Sequence, residues 1–352
     1  MKWACCYSRI ILLWLWVCMA FTVCFFGACS NSVLDVDSDE QTDAVLIHSV
    51  ALNFLELDDS EYPYAGIPRI VIETENRETI NDRETEIPAK LQIWGEKKPE
   101  SEIVDLTIRG RGNTTWAYPK KPYAIKFAKK RSFLGMAEAK KWVLLANYRD
   151  RTLLRNALAF EIAKRMDIGW TPQGKYVDVI INGEFLGNYY VCEKIEIKKN
   201  RLNLDDDDYL LELDSHYDAD NKFKTSVKKI PVNIKNPEEL TQDQFEYIRS
   251  FVNSVENFLY KEQTESFDIE QYIDYKSFAL YWMICEIAKN EEPNHPKSVF
   301  MYKEKQKPLK LGPVWDFDFS TFIAEDGFKI QNSLWYDVLM SDSKFKKIVK
   351  SQ

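Results

Sequence analysis

Histidine and glycine are scarce in this chain: three of the first and twelve of the second in 352 residues. Three histidines and two distant cysteines leave no zinc-type ligand spacing. Of the seven cysteines, Cys5, Cys6, Cys18, Cys24 and Cys29 crowd the N-terminus, so only Cys192 and Cys285 remain for the folded part. Each sits in an apolar segment, where a buried free thiol is the expected state and a disulfide the alternative. Positive charge is also in deficit: 47 Lys and Arg against 55 Asp and Glu give a formal charge of −8. Such a balance argues against a nucleic-acid partner. No internal repeat and no long low-complexity segment is present, which excludes a solenoid. Only one long apolar run occurs, Ile10 to Phe26.

That run follows Lys2 and Arg9 and ends in "FFGACS", the layout of a secretory signal. It resembles a bacterial lipoprotein signal, which implies a signal peptide over 1–28 and lipidation of Cys29. An uncleaved membrane anchor is the alternative, since the run is about long enough to span a bilayer. The expected location is the cell envelope, outside the cytoplasm, with the membrane reached through the lipid. Residues 29–43 are polar and acidic and read as a stalk. Loss of Lys2 and Arg9 with the leader takes the formal charge from −8 to −10. At 45% hydrophobic the remainder can bury a sizeable core, as one two-lobed domain or two closely joined subdomains.

Strand patterns dominate the first part of the body. "RIVIETEN" and "AKLQIWGEKK" alternate apolar and polar residues, and "IVDLTIRGRGNTTW" runs into a glycine-containing turn. In "KKPYAIKFAKK", Tyr123, Ile125 and Phe127 share one face and Lys126 takes the other. A helix is expected over Arg151–Met166, with Leu154, Ala157, Leu158 and Ile162 on its apolar face. Glu161 and Arg165 fall on that face, either as a local ion pair or with Glu161 turned inward to meet a cation. "KYVDVIINGEFLGNYYVCEKIEI" reads as a hairpin about Asn182-Gly183. The four aspartates of "LNLDDDDYLLELD" lack the spacing of a calcium loop and read as a solvated turn. From Pro237 onward the pattern is mostly helical, and "DIEQYIDYKSFALYWMICEIAKN" reads as a core helix.

The segment "GPVWDFDFS" sets Asp316 and Asp318 among Trp315, Phe317 and Phe319, where an unpaired charge is costly. Either the carboxylates face solvent from a strand with buried aromatics, or a cation neutralises them. The order of elements leading to it resembles that of protein kinases: glycine-containing turn, strand lysine, helix with an acid, hinge, loop, hairpin, acidic motif. More specifically, "RGRGNTTW", "KKPYAIKF", "KKWVLLANYRDRTLLRNALAFEIAKRM", "VDVIINGEFLGNYYVCEKI" and "GPVWDFD" resemble the spore coat protein H (CotH) kinase family over about Ile103 to Ser320.

The resemblance implies an α+β, atypical kinase-like two-lobe fold, β-rich at first and mainly helical later. It implies ATP with magnesium or manganese as cofactors and phosphate transfer to Ser or Thr hydroxyls of a protein. Lys126 would hold phosphates with Glu161 supporting it. Arg111 would cover them from the glycine-containing turn. Asp316 and Asp318 would hold the metal. Glu193 would line the adenine pocket or simply close a salt-bridged strand end. The expected organisation is a β-rich segment at 44–98 and a kinase-like domain at 99–352, with lobes at about 99–200 and 201–352. The stop at Gln352, soon after a helix begins, reads as minimal terminal packing or a shortened chain. One departure stands out. In the register of "KSVFMY", Pro293 and Ser298 take the positions of a catalytic-loop aspartate and asparagine. Proline accepts no proton. Glu292 is then the candidate base, with Asn294 a candidate metal ligand and Asn290 a further substitute. Two rivals follow from this departure: a pseudokinase that binds nucleotide, and a non-catalytic surface protein that binds a protein partner.

Overall fold

Seven runs of alternating apolar residues close on themselves in the computed structural model, which describes Leu57, residues 60–260 and residues 268–352. These residues lie within one unit spanning 50–352. The strands are β1 (Arg69–Thr74), β2 (Ile87–Trp94), β3 (Val104–Gly110), β4 (Tyr123–Phe133), β5 (Met136–Leu145), β6 (Gly174–Ile181) and β7 (Glu184–Glu193). Neighbours pair antiparallel in the order β1-β2-β3-β4-β5-β7-β6, and a parallel pairing of β1 with β6 closes the barrel. Closure leaves no open edge to template aggregation.

The expected face of β4 is the observed one. Tyr123, Ile125 and Phe127 fill the interior with Ile108, Trp142 and Val191, and Lys126 lies outside. The hairpin about Asn182-Gly183 is also present, with φ of 53° and 81° at the two turn residues. β1 departs from simple alternation, because all six of its residues are buried. Tyr62, Trp94 and Ile180 cover its outer face at Val71, and the Arg69 guanidinium donates to the carbonyls of Tyr62 (2.7 Å) and Glu96 (2.8 Å). The division expected near residues 98 and 99 runs between β2 and β3, two neighbouring staves of this barrel.

A second sheet follows, in the order β12-β11-β8-β10-β9. Its strands are β8 (Tyr209–Leu213), β9 (Lys222–Lys224), β10 (Pro231–Asn236), β11 (Val299–Lys303) and β12 (Lys310–Leu311). The later half therefore adds a sheet to the expected helices. Its core is continuous with the barrel's outer face, through Val143, Tyr190 and Cys192. Between Leu204 and β8 the acidic run forms the expected turn, but Asp208 points inward and accepts from Lys305 N at 2.9 Å. Cys192 and Cys285 are free and buried, as the composition suggested.

Five helices pack on this body: α1 (Arg155–Arg165), α2 (Gln242–Tyr260), α3 (Tyr275–Ala288), α4 (Tyr336–Leu339) and α5 (Ser343–Ser351). Helix α3 is the expected core helix, capped by the Asp274 side chain, which accepts from Ser277 N at 2.7 Å. It ends at Lys289 in the left-handed region, φ 55°. Helix α1 contradicts the expected face. Asn156, Ala159, Phe160 and Ala163 are buried, whereas Leu154 and Leu158 are 56% and 45% exposed. The small residues let α1 approach α3 closely, which outweighs the burial of two leucines. Asp342 caps α5 by accepting from Lys344 N (2.6 Å) and Phe345 N (3.1 Å), and Phe345 is buried. Among the described residues no helix is long and apolar enough to cross a membrane. The leader, Cys29 and the stalk lie outside the described residues.

Candidate functional site

One cleft, about 480 Å³, runs along the outer face of the barrel where β3 and β5 end. Arg111 and Gly112 enter it from the turn after β3, and Asn147, Tyr148 and Arg149 from the segment after β5. Facing them are Glu212, Asp214 and His216 at the end of β8, and Glu292, Lys297 and Ser298 from the loop after α3. Trp315, Asp316, Asp318 and Phe319 complete it. The volume is in the range of small-ligand sites.

The acidic motif is built by an irregular strand leaving β12. Val314 and Phe317 are wholly buried, and Trp315 stacks on Phe160 of α1 at 5.7 Å. Asp316 occupies the left-handed region, φ 65°, which costs on the order of 1 kcal/mol for a residue with a side chain. Two buried asparagines hold it there. Asn290 donates to the Asp316 carbonyl at 3.2 Å, and Asn156 of α1 accepts from Phe317 N at 2.8 Å. Asn156 in turn donates to Asn147 at 3.0 Å, which ties the motif to the barrel side of the cleft. Asn290 also accepts from Glu292 N at 3.0 Å, so one side chain sets both the acidic motif and the loop.

This clamp brings three acids together. The Asp316 and Asp318 carboxyls lie close enough to share a proton, an interaction that lowers the pKa of Asp316 and raises that of Asp318. Burial, then the Asp316 charge, pushes the Asp318 carboxyl up to about 8. Burial also raises Asp316, opposed by its bond to Asp318 and by the Arg111 charge. Glu292 is pushed up to about 7, first by burial and next by Asp316, with Lys297 pulling the other way. Arg111 lies 5.6 Å over the Trp315 ring; burial lowers its pKa, yet a guanidinium keeps its charge.

Of the residues singled out from the sequence, Arg111, Glu292, Asp316 and Asp318 share this cleft. Lys126 does not line it. Lys126 faces outward from β4, opposite Thr107 on β3 and Lys141 on β5, because its neighbours Ile125 and Phe127 fill the barrel. Glu161 is exposed and pairs with Arg165 at 2.7 Å, the local alternative of its two readings. Glu193 is buried away from the cleft, accepting from Arg201 (2.6 Å) and Gln173 N (3.0 Å). Arg201 also lies 4.6 Å over the Trp142 ring, so the pair pins a strand end. Asn294 turns away, donating to the Lys329 carbonyl at 3.2 Å and accepting from Ser333. Its position in the loop suggested a ligand, but the short helical turn at Glu292–Asn294 rotates it outward.

Sequence reasoning passed over Asp214, His216, Lys297 and Asn156, and gave Asn290 only as a substitute in the loop. An acid ending an apolar strand in "LLELDSH" was a signal for the first two. A Lys–Glu pair does face the cleft, but from the second sheet: Lys235 of β10 with Glu212 of β8 at 3.3 Å. Among the described residues no group of three His, Cys, Asp or Glu side chains is gathered to hold a metal.

The fold and site define an α+β protein with a carboxylate-rich ligand cleft beside a closed barrel. The family model described as CotH kinase protein matches residues 108–352, and the chain belongs to that family. Over 284 residues the chain is 23% identical to the inner spore coat protein H of Bacillus subtilis (strain 168), covering 74% of this chain and 75% of that relative.

Proposed function

We propose that this chain is a metal-dependent atypical protein kinase of a two-lobe, kinase-like design, exported and held at the cell envelope by lipid on Cys29. It would transfer phosphate from ATP to Ser or Thr hydroxyls of a protein partner. The observation that carries the reading is the pairing of half-buried Asp316 with buried Asp318, lining one cleft with Glu292 and Arg111. Two adjacent carboxylates of like charge repel each other and are relieved by a cation, and hard oxygen donors suit magnesium or manganese. Such an ion uses one or two carboxylates and fills its remaining positions with water and substrate phosphate, so a third protein ligand is not required. Bound there, the ion would neutralise phosphate charge, the main demand of phosphoryl transfer. Arg111 would pair with phosphate oxygens, and Lys297 would add positive charge beside Glu292. Lys126 takes no part in this reading.

The test is thermal stabilisation of the mature protein by ATP with manganese, for the parent and for Asp316→Asn. Ligand at a hundred times its dissociation constant stabilises the folded state by about 2.7 kcal/mol. A shift in the parent that the variant lacks supports the site; the absence of any shift in the parent overturns the reading. Transfer of labelled phosphate to protein then separates a kinase from a nucleotide-binding pseudokinase. The second reading is favoured by Pro293, which is buried in the loop where the family resemblance calls for an aspartate.

A further inference from the structure

The loop after α3 offers no aspartate to receive a proton, yet the end of β8 beside it carries an ordered acid–imidazole pair. Asp214 closes β8 and His216 follows two residues later, with His216 Nδ1 at 2.7 Å from Asp214 Oδ1. The same carboxylate accepts from His216 N at 2.8 Å and from Ser298 N at 3.4 Å. Ser215 N donates to the Pro296 carbonyl at 2.7 Å, which fastens the pair to that loop. The Asp214 side chain is 8% exposed and that of His216 is 34% exposed, so the acid is shielded while the ring reaches the cleft.

We propose that His216, oriented by Asp214, is the proton acceptor for the hydroxyl that attacks ATP; this rests on the phosphotransfer reading above. A carboxylate only accepts, so the short contact sets the proton on Nδ1 and leaves the lone pair of Nε2 free. The hydroxyl proton passes to Nε2. The hydroxyl oxygen forms a bond to the γ-phosphorus, and the bond from that phosphorus to the β–γ bridging oxygen breaks. Its electron pair leaves on ADP. The Asp214 charge then stabilises the imidazolium, as in other acid–His pairs. Glu292 is the competing acceptor, and its own variant separates the two.

The experiment compares the parent with His216→Gln, His216→Ala and Glu292→Gln, using ATP and manganese, with phosphate transfer to the chain itself and to water as readouts. General-base loss costs about 10²–10⁴-fold in rate. The expected result is a loss in that range for both His216 variants, an unchanged ATP-dependent thermal shift, and partial recovery of His216→Ala by free imidazole. A structural role for the ring gives no imidazole rescue. Nitrogen NMR of the labelled ring, independent of turnover, is expected to report the Nδ1–H tautomer. Full transfer in His216→Gln, a missing rescue or the Nε2–H tautomer overturns the assignment and leaves the phosphotransfer reading standing. A parent protein with neither ATP-dependent stabilisation nor transfer removes both.

Discussion

Glu292 should make the protein less stable as pH rises, and replacing it by glutamine should remove that part of the loss. Burial and the Asp316 charge move its carboxyl from 4.5 to about 7, so the folded chain holds a proton that the unfolded chain has released. Between those two values the native state binds more protons, and stability therefore falls with increasing pH. Below about 4.5 both states are protonated and the contribution vanishes; above about 7 both are ionised and the penalty is complete. At about 1.4 kcal/mol for each pH unit the gap bounds the penalty near 3 kcal/mol, and cleft water reduces it to about 2 kcal/mol. Glutamine keeps the shape and carries no charge. Urea unfolding followed by tryptophan fluorescence, at pH 4.5, 6, 7 and 8, reads the difference between Glu292→Gln and the parent. That difference should be near zero at the lowest pH, grow through the window and level off. A difference that is constant with pH would show that Glu292 is already solvated and that the acids do not form one electrostatic cluster.

Asn156→Ala removes the acceptor for Phe317 N and the donor to Asn147, and should cost about 1–3 kcal/mol in urea unfolding while also weakening any ATP-dependent shift. Arg201→Ala strands the buried Glu193 carboxylate and should cost about 3–5 kcal/mol, with ligand response retained in the folded fraction. If that response is lost selectively, Glu193 belongs to the ligand site after all. Lys126→Ala should leave the ATP-dependent shift close to the parent, and a lost shift would restore the strand lysine to the phosphate site.

Local rules carried the strands and turns. Period-two alternation gave the inward face of β4, the Asn182-Gly183 pair gave the β6–β7 hairpin, and a dense apolar run gave α3. Closure of the barrel was not legible, because the β1–β6 pairing joins distant strands in parallel and no turn signals it. The face of α1 was misread for a related reason. Its leucines mark the more hydrophobic side, but the helix is positioned by close packing on α3 and by Asn156, a polar residue whose value depends on partners from two other elements. Lys126 shows the limit of matching by order alone. A strand lysine in the expected place along the chain was set on the outside of β4 and does not line the cleft, through the same alternation that fixed its neighbours. Asp316 was found because an acid between two aromatics poses a desolvation problem that any fold must solve. Asp214 and His216 left a weaker signal, an acid ending an apolar strand, and acquire their meaning from what they face.

The strain at Asp316 separates a functional acid from a structural one. An aspartate with φ 65°, half-buried beside a second, buried aspartate, is unfavourable on two counts, conformational and electrostatic. Asparagine tolerates the left-handed region and carries no charge, so Asp316→Asn should raise the stability of the ligand-free protein. An acid retained for folding would behave in the opposite way, since its removal would break bonds that the fold requires. Here the backbone on either side is held by Asn290 and Asn156, and neither bond uses the Asp316 side chain. The expected pattern is therefore a gain in unfolding free energy without ligand, together with loss of the stabilisation by ATP and manganese. A destabilised variant would mean that the carboxyl pair is a packing element, and the case for a cation between Asp316 and Asp318 would fall with it.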